Sequence, residues 1–145
     1  MLTTNAGSNF SVKPGYIQAY PAGSIKIWRG ALVVLRLTDN LLYPAVNDPT
    51  DVYKQIVRGY AMEASTTGST VRLRGDGKLL MKFMGANIAG SLGKIVCVYD
   101  DETCQLWSAS GCKVAIGRVD QIVGYDSVYV NLMDRPARLA TSIYD

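Results

Sequence analysis

The sequence predicts an all-β fold, a small β-barrel or β-tulip-like sandwich of about nine or ten short antiparallel strands. Three observations point to it. Apolar and polar residues alternate in short runs rich in Val, Ile and Leu. Turn-forming Gly, Asp, Asn, Ser and Pro punctuate these runs at close, regular spacing. No stretch sustains the 3.6-residue period of an amphipathic helix.

The elements follow in order. Residues 1–14 are small and polar without a period, which reads as a flexible N-terminal arm. The body covers residues 15–132, and a C-terminal tail follows over 133–145. From Gly23 the pattern turns to β, with Ile25 and Ile27 alternating with Ser24, Lys26 and Trp28. Residues 31–37 (ALVVLRL) form an apolar run whose length and β-branching suit a buried strand. Thr38, Asp39 and Asn40 signal a turn, and residues 41–45 resume as a strand ending at Pro44. After the NDPTD loop, residues 56–64 (IVRGYAMEA) alternate again, and Gly59 within them predicts a bulge or a second backbone passing close. Residues 70–74 alternate with Arg72 and Arg74 on one face. Gly75-Asp76-Gly77 predicts a hairpin connection, with residues 78–84 as the return strand. Residues 86–92 are the segment suited to a short helix or irregular path. Residues 94–99 (KIVCVY) form a strand stopped by Asp100-Asp101-Glu102. Residues 103–107, 114–123 (with Gly117 in the interior) and 127–132 complete the set. No exact internal repeat and no low-complexity run is visible.

Composition narrows the function. A chain of 145 residues suits one domain and can support its own core. The net charge of +3 is small and the basic residues are dispersed, so no phosphate-tracking stripe forms and no nucleic-acid partner is expected. Apolar runs fall far short of the ~20 residues that span a bilayer, and no secretory leader opens the chain, so a protein made in a cytosol without a membrane partner is expected. Histidine is absent, which removes Ser-His-Asp and Cys-His catalysis and His-ligated zinc. The three cysteines, Cys97, Cys104 and Cys112, lack C-x-x-C spacing and are expected as reduced thiols. No catalytic, cofactor-binding or metal-binding residue is assigned. Asp100, Asp101 and Glu102 are the one acidic cluster, but calcium-type sites need several oxygens at tuned spacing, so a strand-stopping turn is expected. Gly75-Asp76-Gly77-Lys78 lacks the strand-to-helix setting and spacing of a phosphate loop.

Several segments together resemble the bacteriophage capsid decoration (cement) proteins. They are Trp28-Arg29-Gly30-Ala31-Leu32-Val33 with Leu42-Tyr43-Pro44-Ala45; Val57-Arg58-Gly59-Tyr60-Ala61-Met62-Glu63; the stretch from Leu92 to Asp101 (LGKIVCVYDD); Ala115-Ile116-Gly117-Arg118-Val119; and residues 128–132. They run in the family's order over residues 23–132. The turn between Thr66 and Thr70 is shorter than in the family and the tail past Met133 longer. The resemblance implies a β-barrel on the outside of an expanded capsid, bound as a homo-dimer or homo-trimer and bridging major capsid proteins. It implies a virion location and no cofactor.

Nine tyrosines against two phenylalanines add a compositional hint, because tyrosine offers rigid area with a polar tip and is enriched at interfaces. Tyr16, Tyr20, Tyr43, Tyr53, Tyr125 and Tyr144 fall in expected arms or loops and, with Trp28, are the candidate capsid or subunit contacts. Two rival functions remain. One is a carbohydrate- or host-surface-binding β-module, in which Trp28 and Trp107 would stack on sugars. The other is an enzyme using Asp100 or Asp101 as a base, for which no partner group is identifiable.

Overall fold

The computed structural model describes residues 17–47, 55–66, 68–107 and 114–132. Within them the chain is almost wholly β. Its strands are β1 (Ile17–Pro21), β2 (Leu32–Arg36), β3 (Leu41–Pro44), β4 (Gln55–Ala61) and β5 (Thr70–Arg74), then β6 (Lys78–Phe83), β7 (Ile95–Val98), β8 (Thr103–Leu106), β9 (Ala115–Val123) and β10 (Ser127–Asn131). One 3-10 turn, Ile88–Gly90, lies between β6 and β7. The expected arm over 1–14 and tail over 133–145 lie outside the described residues.

The strands divide into two five-stranded units. The first is a sheet of order β1-β5-β4-β2-β3, and the second is a closed barrel of order β10-β6-β8-β7-β9. Both units use one topology. In each, the first strand pairs with the fifth, the fifth with the fourth, the fourth with the second and the second with the third, all antiparallel. The first and third strands then meet in parallel: β6 with β8 in the barrel, and the single bridge Ala22 to Leu42 in the first unit. That parallel closure departs from the purely antiparallel expectation.

The correspondence extends to single bonds. The Ala22 and Phe83 amides donate to Ser69 and Asp126, Gly23 and Met84 to Leu42 and Cys104, and Gly30 and Gly93 to Ala61 and Val119. A register shift falls at Val33/Val34 in β2 and at Val96/Cys97 in β7. The structure thus holds a topological repeat that the sequence does not display. Identities at equivalent positions are sparse, among them Gly30/Gly93, Val33/Val96, Gly59/Gly117 and Val71/Val128.

Each unit has an apolar interior. Val33, Leu35, Leu42, Val71 and Leu73 fill the first; their equivalents Val96, Val98, Cys104, Val128 and Val130 fill the second. The alternate residues of β2 face the other way. Leu32 and Val34, with Tyr43, Ala45 and Val57, join the core cluster of the second unit. The Leu32 amide donates to the Asp101 carbonyl in the β7–β8 turn at 2.9 Å. The unbroken apolar run at residues 31–35 is thereby explained: β2 is buried on both faces up to Leu35, so alternation would be wrong for it.

Other expectations need correction. Gly75-Asp76-Gly77 does not close a hairpin. Both edges of β5 are taken by β1 and β4, so this segment links the two units instead. Residues 24–28 form no strand; Ile27 is buried there and its amide donates to Ser65 Oγ. The true first strand, β1, has only two half-buried positions and ends in Pro21, so its pattern is faint.

Candidate interaction surface

Among the described members of the aromatic candidate set, two are well exposed. Trp28 is 65% exposed, on the turn before β2, with the Lys26 ammonium 5.0 Å from its ring centroid. Tyr125 is 87% exposed, beside Gly124 (φ +70°) in the β9–β10 turn. The two sit on different units, and no ring contact joins them. Tyr20 is half-buried in β1 against the first core. Tyr43 is only 7% exposed and is engaged within the chain. Its hydroxyl donates to Asp39 Oδ2 at 2.7 Å, and the Arg36 guanidinium lies 4.0 Å from its ring centroid. The Tyr43 hydroxyl holds the Asp39 carboxyl below its usual range, and the same bond raises the tyrosine's own pKa. Tyr16, Tyr53 and Tyr144 lie outside the described residues.

Charged groups are largely used locally. Arg72 meets Glu63 through its guanidinium at 3.1 Å and its backbone amide at 2.9 Å, and these contacts hold the Glu63 carboxyl low. Arg74 bonds Asp76 at 2.6 Å, so both arginines of that face have carboxylate partners. The acidic cluster is the tip of the β7–β8 turn. The Glu102 amide donates to Asp100 Oδ1 at 2.9 Å, and the Glu102 carboxylate pairs with Lys82 at 3.1 Å. Burial against the first unit, then the negative charges of Asp100 and Glu102, raise the pKa of Asp101. Among the described residues no group of three or more His, Cys, Asp or Glu is placed to hold a metal ion.

The cysteines differ from expectation. Cys97 is disulfide-bonded, whereas Cys104 is free and buried, its thiol pushed up to about 12 by desolvation. Cys97 Sγ also lies 3.6 Å from the Gln105 carbonyl oxygen, beneath β8. The expectation of three reduced thiols rested on the missing C-x-x-C spacing and an expected cytosolic origin, and neither bars a bond between cysteines distant in sequence.

A surface feature absent from the sequence expectations is a groove on the second unit. It has a volume of 390 Å³ and is lined by Gly93, Lys94, Ile95, Leu106, Trp107 and Arg118. Three strands, β7, β8 and β9, converge to build it. Trp107 was visible as a candidate ring, but its neighbours read as ordinary strand residues because only strand pairing brings them together. Other exposed apolar side chains include Leu37, Leu80, Met84 and Leu92.

No family model matches this chain, and no curated protein matches it. No helix among the described residues is long and apolar enough to cross a membrane.

Proposed function

We propose that this chain is a structural protein that acts by binding protein surfaces rather than by catalysis, and that its target is the outside of an expanded phage capsid. The observation that carries the binding reading is the placement of bare apolar and aromatic side chains, Trp28, Leu37, Leu92 and Tyr125, on turns of a two-unit β scaffold. Aromatic side chains that become buried in a partner's pocket dominate binding energy at interfaces. The capsid target rests on the segmental resemblance described above. A ligand that prefers the assembled shell to the free subunit stabilises the shell by mass action.

Co-sedimentation with expanded heads stripped of decoration, with unexpanded procapsids as control, tests the reading. Saturable binding to expanded heads alone is the expected result. Trp28→Ala and Tyr125→Ala should each weaken it by about tenfold or more, at ~1.4 kcal/mol per decade. Deletion of residues 1–14 should weaken it as well while leaving the fold intact. Absence of binding at low and moderate salt would defeat the capsid target. The exposed Trp28 ring keeps carbohydrate binding as the second reading, and titration with cell-wall polysaccharide would then decide it.

A further inference from the structure

The face by which the first unit meets the second has a counterpart on the second unit. On the first unit this face includes Leu32, Ala45 and Tyr60, and Leu32 donates its amide hydrogen to Asp101 in the β7–β8 turn. The shared topology maps these positions onto Ile95, Trp107 and Arg118, and the neighbouring Ala31 and Pro44 onto Lys94 and Leu106. Those five residues and Gly93 are the lining of the 390 Å³ groove. Gly30 and Gly93 occupy equivalent left-handed positions at the two faces, with φ of +88° and +77°. The turn that bonds the first face also has a counterpart. The β7–β8 turn corresponds to the β2–β3 turn, residues 37–40, where Leu37 is 45% exposed.

We propose that copies of this chain associate head to tail, the β2–β3 turn of one copy seating in the groove of the next. The occupant is argued from the chain itself: the equivalent β7–β8 turn already meets this face once within each copy, where the Asp101 carbonyl accepts from the Leu32 amide. Charge favours it. The groove carries Lys94 and Arg118 where the equivalent positions of the first unit are Ala31 and Tyr60, and the incoming turn carries Asp39, whose carboxyl is held ionised by Tyr43 and the Leu41 amide. Only part of the face remains open. The row through Cys97 and Ala115 is buried in the second unit, so the contact is confined to the edge through Ile95 and Arg118. Such a contact uses two different surfaces, so it extends to a ring or an open chain and not to a closed two-fold pair.

The inference does not depend on the capsid reading, because it concerns the purified protein. Sedimentation equilibrium of the full chain over a wide concentration range tests it. The average mass should rise above the monomer with concentration. Leu37→Glu and Lys94→Glu, both at exposed positions, should keep the wild-type melting temperature and each weaken association at least tenfold. Mixing the two variants should restore a dimer that stops at two copies, since one retains the turn and the other the groove. A wild-type chain that stays monomeric throughout overturns the proposal, as does an association that neither substitution weakens.

Discussion

Gly59 and Gly117 show how single positions constrain this fold. A Cβ on Gly59 would lie 2.0 Å from the Arg74 carbonyl oxygen, and one on Gly117 2.2 Å from that of Asn131. Both contacts are with backbone, so neither neighbour can swing aside. Gly59 also has φ of +145°, outside the comfortable range of L side chains. Gly117→Ala should therefore destabilise by about 1–3 kcal/mol from overpacking. Gly59→Ala should cost about 2–5 kcal/mol, because backbone strain adds to the same clash. Urea melts of the two variants check the order, and an equal or reversed ranking would refute the strain argument. The cysteines give a second test. Iodoacetamide at pH 8 should leave the native protein unlabelled, since the Cys104 thiol is buried with a pKa of about 12 and Cys97 is bonded. Denatured without reductant, the chain should take one label; reduced first, it should take three, the number of its cysteines. Three labels without reductant would show that the disulfide is absent.

The strands and turns show what could be read from the residues and what could not. Residues 70–74 were legible to the residue as β5 because one face is buried and the other carries Arg72 and Arg74. The Gly59 bulge was legible because glycine inside an alternating run has few other uses. Which strands pair was not legible. The hairpin expected at Gly75-Asp76-Gly77 failed because the dipeptide encodes a permissive turn and says nothing of whether β5 has an edge to spare. The groove was hidden for the same reason: Ile95, Leu106 and Trp107 converge only through pairings of β7 with β8 and β9. The β7–β8 turn yields its own prediction. The pKa of Asp101 is raised above the ordinary aspartate value of 3.8, chiefly by desolvation. Its folded state binds the proton more tightly than its unfolded state, so stability from this group is gained as pH falls through the raised pKa. At neutral pH the ionised carboxylate is a liability. Asp101→Asn should raise the melting temperature at pH 7, and the advantage should shrink toward zero below pH 3.8. The Leu32 bond survives the substitution because it uses the backbone carbonyl. A lower melting temperature at pH 7 would contradict the burial argument.

The two units repeat one topology, yet they do not bury their surfaces independently. Leu32, Val34, Tyr43, Ala45 and Val57 belong to the first unit by chain position and to the second unit's core by contact. Burying side chains of the Leu and Val class is worth roughly 1.5–3 kcal/mol each, so separating the units would sacrifice a sum comparable to the ~5–15 kcal/mol stability of a typical domain. Neither unit then has a state in which it stays folded while the other opens. Native-state hydrogen exchange can test this at matched positions. The Ala61 amide donates to Ala31 and the Val119 amide to Lys94, each at about the same place in its own unit. Both should exchange with the global unfolding free energy and fall together as urea is added. Leu32→Ala should remove about 2–5 kcal/mol, typical for a buried leucine. Its discriminating feature is location: protection should drop equally at Ala61 and at Val119, although the substitution lies in β2. If Val119 keeps its protection while Ala61 loses it, the units unfold separately and the shared core does not couple them.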